Sequence, residues 1–214
     1  MTLLRIRLAL AVYGALTGLA FLWGALAGRI DLYHHPEPWL RMPFPASTGV
    51  AVLLGLAVAL VVVASTRVLV RRTTWARRLH GDFRALFGPL AGRDIIVFAL
   101  TSGVAEELFF RGALDPSLGL VGASLVFGAI HIGPSRRFWV WTLWATAMGL
   151  VFGALYRLTG ELIAPMVAHI AINYENMHFI EAYDPSPPGA GAPLREATDP
   201  RLVSTRIRSG AKSP

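Results

Sequence analysis

Five ionisable side chains and one amide stand in stretches that are otherwise strongly apolar. Glu106, Glu107 and Arg111 share one hydrophobic run, His131 closes a second, and His169 and Asn173 lie in a third. At membrane depth such a group costs about 2.5 kcal/mol or more, so each needs a reason to be there. Spacing of four residues pairs Glu107 with Arg111, Phe127 with His131, and His169 with Asn173 on shared helix faces. Each pair has a structural explanation: an ion pair that neutralises itself, an interface histidine, an interhelical hydrogen bond. Glu106 fits none of these. It points about 100° away from Glu107 around a helix, and its helical neighbours Ser102, Gly103, Phe109 and Phe110 include no cation. A carboxyl group of this kind either sits protonated on a backbone carbonyl or serves as a general base. An imidazole can donate or accept, and an Asn amide does both. Three such features in one small bundle are hard to explain as structural glue alone.

The elements that must hold these groups follow from composition. The chain has 214 residues, 54% hydrophobic and only 15% charged. A soluble domain usually carries about 25% charged residues, so a water-soluble globule is excluded. There is no cysteine, which removes disulfides, thiolate nucleophiles and Cys-type metal sites. Six stretches are apolar enough to be read as crossings: about Leu8–Ala27, Ser47–Val70, Asp94–Leu114, Leu118–Gly133, Phe138–Tyr156 and Leu162–Ile180. The expected fold is all-α, a polytopic membrane helix bundle of about six transmembrane helices. Residues 1–183 form its single domain, with 93–177 as the core that carries chemistry, and 184–214 read as a disordered cytoplasmic tail rich in Pro, Gly, Ala and Arg.

Loop charge orients the bundle. The net charge is +7, and Lys212 is the lone lysine among the 20 basic residues. Seven arginines, Arg67 to Arg93, crowd the second connection, while alternate loops are poor in positive charge. The positive-inside rule then puts both termini in the cytoplasm. The charges flank apolar runs and form no separate basic domain, so the expected partners are the lipid bilayer and a membrane-associated protein or peptide, with no nucleic acid. The stretch from Trp75 to Phe87 reads as an amphipathic surface helix touching headgroups. Gly14-x-x-x-Gly18, Gly24-x-x-x-Gly28 and Gly149-x-x-x-Gly153 read as close-packing pairs within the chain. Asp94 and Glu161 read as helix caps, Gly103 as a kink, and Trp39, Trp75 and Trp139 as interfacial anchors. From its helix's cytoplasmic end Glu106 lies about 12 residues, or ~18 Å, deep, whereas His131 is expected near the cytoplasmic face. A polar cavity opening to the cytoplasm would be needed to bring water to Glu106.

The three pieces in order, Glu106-Glu107-x-x-x-Arg111, Phe127-x-x-x-His131 and His169-x-x-x-Asn173, resemble the motifs E-E-x-x-x-R, F-x-x-x-H and H-x-x-x-N of the CPBP (Abi) family. That family is similar to the type II CAAX prenyl endopeptidases. The resemblance covers about residues 93–177. It implies a glutamic-type intramembrane protease, multi-pass in a cell membrane, with no cofactor. Carried over, Glu106 and His131 activate a water, His169 and Asn173 form the oxyanion site, and Glu107 and Arg111, with Phe127, support them. The residues alone leave two alternatives. One is a zinc-dependent membrane protease using Glu106, His131 and His169 with an open position for water. The other is a non-catalytic binding protein, such as a bacteriocin-immunity protein. A transporter would be expected to show an inverted repeat, and none is visible. Oligomeric state is left open.

Overall fold

The computed structural model describes residues 3–185, and the expected disordered tail falls almost wholly outside them. Among the described residues the chain is helical throughout: α1 (Leu3–Leu26), α2 (Ala46–Arg72), α3 (Thr74–Phe87), α4 (Gly92–Glu107), α5 (Asp115–Ile130), α6 (Trp139–Thr159) and α7 (Ile163–Ala182). A π-helical segment, Leu108–Leu114, joins α4 to α5 without a break. The all-α membrane helix bundle expected from composition is what the chain forms. Four helical runs are long and apolar enough to cross a membrane: Leu3–Leu26, Ala46–Arg72, Gly92–Ile130 and Trp139–Thr159. The 39-residue run Gly92–Ile130 contains the third expected stretch and all but the last three residues of the fourth. It folds back at Gly119, whose φ of 75° is open to glycine at little cost. The sixth stretch is α7, whose turns from Asn173 to His178 carry too many polar groups for it to stand among those four runs.

Helix α7 is the hub, packing on α2, α4, α6 and α3. Its apolar face joins Ala51, Ala59 and Val62 of α2 with Met148, Phe152 and Leu155 of α6 around Ala164, Ala168 and Ile172. A second core, Phe110, Leu114, Ala123, Phe127 and Ala145, locks the π-helical segment to α5 and α6. Small residues set the spacings. A Cβ on Gly103 would lie 2.5 Å from Cγ1 of Ile170, so Gly103 brings α7 against α4 and is not the kink expected there. Gly149 faces Ser124 at 3.0 Å, so the Gly149/Gly153 pair does pack α6 on α5. Gly14 and Gly18, by contrast, face open space and do not pack as expected.

Two capping expectations part ways. Asp94 accepts from the backbone N–H of Ala91 at 3.3 Å and caps α4. Glu161 instead accepts from the Thr48 hydroxyl at 2.7 Å, tying the start of α7 to α2. Helix α3 forms where an amphipathic helix was expected, capped by Thr73. Its apolar face is turned inward, with Leu79, Phe83 and Phe87 on a cavity wall.

Candidate active site

Residues on α1, α4, α5 and α7 meet at the inner end of a cavity of about 610 Å³ that runs to α3. Glu106 and Glu107 are the last two residues of α4, immediately before the π-helical segment. A π turn is a common device at functional sites, because the extra residue re-aims side chains without ending the helix. Here Glu106 points into the cavity and Glu107 into the bundle.

Glu107 is fully buried, and Arg111 is 2% exposed. Arg111 Nε lies 3.2 Å from Glu107 Oε2, a charge contact rather than an aligned hydrogen bond. Its Nη2 donates to the Gly149 carbonyl at 3.2 Å, and its guanidinium lies 4.4 Å from the centre of the Phe127 ring. The other oxygen of Glu107 receives Nδ1 of His169 at 2.7 Å. Glu107 is therefore more than half of an ion pair: it orients a histidine on a different helix. That the acceptor is a carboxylate fixes the proton on Nδ1 and leaves Nε2 of His169 facing the cavity.

His131 is fixed in the same way by a different group. Its Nδ1 donates to the Phe127 carbonyl at 2.7 Å, so Nε2 is again the free nitrogen. The four-residue spacing of Phe127 and His131 thus does two things: the Phe ring covers Arg111, and the Phe carbonyl sets the tautomer. Both free nitrogens converge on one atom. Glu106 Oε2 is 3.7 Å from His131 Nε2 and 4.0 Å from His169 Nε2. It is buried and accepts no hydrogen bond from the protein.

The depth mismatch expected between Glu106 and His131 does not occur. Glu106 lies 13 residues before Gly119 and His131 lies 12 after it. Measured from that shared bend the two are level, at roughly 18–20 Å. The short fourth stretch thus ends level with Glu106.

Asn173 is one turn beyond His169 and donates from Nδ2 to the Ser102 hydroxyl at 2.9 Å. Ser102 in turn donates to the Phe98 carbonyl at 2.7 Å. Asn173 keeps one N–H and its carbonyl oxygen for other partners. All six polar positions singled out in the sequence are thus brought together, with Phe127 among them. Ser102, marked in the sequence only as a neighbour of Glu106, is the partner of Asn173, and Tyr13 lines the same cavity. Ser102 sits one turn before Glu106, a visible signal. Tyr13 lies in a helix with no motif, and only its polarity amid apolar neighbours marks it. The cavity wall is mostly apolar, with Phe98, Trp144 and Phe152 among its residues, where a polar cavity was expected. Among the described residues, no group of three His, Asp or Glu side chains is gathered as a metal site.

The class these features define is an all-helical membrane protein with a carboxylate and two tautomer-fixed imidazoles at the end of an apolar cavity. Residues 90–174 match the family model described as type II CAAX prenyl endopeptidase Rce1-like, which bears out the resemblance read from the motifs. A relative, the uncharacterized protein YpbD of Bacillus subtilis (strain 168), is 30% identical over 122 residues. That alignment covers 56% of this chain and 63% of the relative. No solved structure matches.

Proposed function

We propose that the protein is an intramembrane endopeptidase that hydrolyses a peptide bond in membrane-associated proteins or peptides with a glutamate-activated water. The observation that carries this reading is the convergence of Glu106 Oε2 with Nε2 of His131 at 3.7 Å and of His169 at 4.0 Å. Those separations are too long for direct hydrogen bonds and suit one oxygen shared among the three. Glu106 takes a proton from the water as its oxygen attacks the scissile carbonyl carbon. The carbonyl π pair moves onto oxygen, where His169 Nε2–H and the open N–H of Asn173 receive it. Collapse breaks the C–N bond, and Glu106 returns the proton to the leaving amine. As an oxyanion donor His169 must carry a proton on each ring nitrogen, and Glu107 accepts the one on Nδ1. His131 accepts from the attacking water and orients it. Arg111 and Phe127 hold Glu107 and the His131 tautomer.

Substrate class follows from the cavity. An apolar wall along about 610 Å³ selects an apolar segment beside the cut bond. Arginine-rich flanks support a cytoplasmic opening, with six crossings, cytoplasmic termini and a bacterial inner-membrane location as parts of the same proposal. The test maps protein termini in membranes from cells carrying wild type or Glu106→Gln. Specific uncleaved proteins are expected to accumulate with the variant. Identical termini with an intact phenotype would replace catalysis with binding. Chelation of the purified enzyme separates the zinc alternative, since activity is expected to survive it.

A further inference from the structure

Helix α7 carries a third polar side chain on the face that holds His169 and Asn173. Asn176 is seven residues beyond His169 and three beyond Asn173, so the three share one stripe, and all three line the cavity. What Asn176 can do there follows from its contact with Arg67 of α2. Arg67 Nη1 donates to Asn176 Oδ1 at 3.1 Å. A guanidinium has donors and no acceptor, so this contact fixes which end of the amide is oxygen. Arg67 is itself held by the Glu175 carbonyl at 2.7 Å and the Glu175 carboxylate at 3.3 Å, and its guanidinium lies 4.1 Å from the centre of the Phe179 ring. Arg67 is not among the residues that line the cavity. The amide oxygen is therefore turned out toward α2, and Nδ2, with its two N–H groups, is left on the cavity side.

Asn173 is oriented in the same manner from the other flank. Its Nδ2 gives one N–H to the Ser102 hydroxyl of α4 at 2.9 Å and keeps the second. Helix α7 thus presents two amide donors about one turn apart, each set by a side chain from a different neighbouring helix. Two other polar groups on the wall are already spent. Thr66 donates to the Val62 carbonyl at 2.9 Å, and His80 Nε2 to the Tyr183 carbonyl. Residues three apart on a helix hold their Cβ atoms about 5–6 Å apart. Carbonyls on one side of an extended chain repeat every second residue, or ~6.7 Å. A segment with its scissile carbonyl at Asn173 then brings a second carbonyl of the same side to Asn176. Such a donor is needed, because a backbone carbonyl leaves water when it enters an apolar cavity and is costly there unpaired.

We propose that Asn176 is a substrate-binding residue that donates from Nδ2 to a backbone carbonyl two residues from the cut bond, with Arg67 as the positioning residue that holds the amide in that orientation. The ligand is an extended apolar segment laid along α7 and gripped through its backbone, so Asn176 sets the register of the cut and not the choice of side chains. The proposal deepens the peptidase reading and rests on it for that register, whereas the donor itself is tested by binding alone.

The experiment uses the full chain in detergent, as wild type, Asn176→Ala, Asn176→Asp, Glu106→Gln and the last combined with Asn176→Ala. The probe is a short apolar peptide with a fluorophore and a quencher at its ends, together with versions in which one amide at a time is replaced by a trans alkene. In Asn176→Ala the loss of one neutral hydrogen bond is expected to raise KM about fivefold. The kcat stays unchanged, because the contact is lost equally from ground and transition state. Asn176→Asp keeps an acceptor for Arg67 but cannot donate, so KM rises at least as much while the melting temperature stays at the wild-type value. In wild type the alkene two residues from the cut costs about the same factor, and in Asn176→Ala it costs nothing further. Equal KM in wild type and both variants, or two losses that simply multiply, would overturn the proposal. A fall in kcat with KM unchanged overturns it as well. Should Asn176→Ala not accumulate, Asn176→Asp carries the same comparison. Equal turnover by wild type and Glu106→Gln would instead sink the peptidase reading. The Kd of the peptide without its quencher, read by fluorescence anisotropy on Glu106→Gln, then decides the donor: a rise of about fivefold on adding Asn176→Ala supports it, and no rise removes it.

Discussion

At the scale of residues, the site depends on charges that are paired before they are used. Glu107 is shared between Arg111 and His169, so removing either partner strands a carboxylate in a fully buried position. Breaking a buried pair from one side costs about 3–5 kcal/mol. Arg111→Ala is therefore expected to lower the melting temperature in detergent and the yield from membranes, along with activity. Arg111→Met combined with Glu107→Gln removes both charges and should recover most of the stability. It should not recover turnover, because a rotatable amide no longer holds the His169 ring as the carboxylate does. Equal melting of wild type and Arg111→Ala would show that Glu107 is not held as described.

At the scale of elements, α3 behaves as a wall that is pinned rather than buried. His80 Nε2 donates to the Tyr183 carbonyl at 2.9 Å, and Arg84 donates to the carbonyls of Ile180 and Glu181 at 2.6 Å each. These bonds close the C-terminal end of α7, whose last carbonyls have no partner within the helix. Burial pushes His80 below the ordinary histidine range, Arg84 and Arg67 add to that, and the Tyr183 carbonyl and Asp184 oppose it. The docked helix thus disfavours the imidazolium. Docking keeps its full strength above the unfolded histidine value of about 6.5 and weakens as pH falls below it. The amide protection of residues 74–87, taken relative to the intrinsic exchange rate at each pH, is expected to fall between pH 7 and pH 5 in wild type. In His80→Gln it should be nearly flat over that range, and equal pH dependence in both proteins would remove His80 as the titrating pin.

At the scale of the whole molecule, the arrangement of helices across the bilayer is the property to measure. The proposed six crossings put the α2–α4 connection and the turn after α5 on the same side as the N-terminus. The absence of native cysteine makes this direct, since any introduced thiol is the sole target. In intact cells Asp31→Cys is expected to react with an impermeant maleimide, and Ser135→Cys only after the membrane is opened. Reaction of both in intact cells would contradict the six-crossing topology.

Several parts of this protein were legible in the sequence. Composition gave a membrane helix bundle, because lipid leaves helices or closed barrels as the ways to satisfy a backbone. The four-residue spacings marked Glu107 with Arg111 and His169 with Asn173, because helical periodicity is local. Polar groups inside apolar runs marked the site, because each one is costly unless used. Tertiary structure decided what depends on contacts distant in sequence. The π turn after Glu107 resets the direction of Arg111 and the residues that follow, and no residue pattern announces it. The bend at Gly119 brings His131 level with Glu106, which counting from the wrong end of the helix obscured. Glu107 was read with its helical neighbour Arg111, and its bond to His169, 62 residues away, came only from the packing of α7 on α4 at Gly103. Tyr13 lines the cavity because α1 lies against α4, a choice made by packing between helices and written in no single one of them.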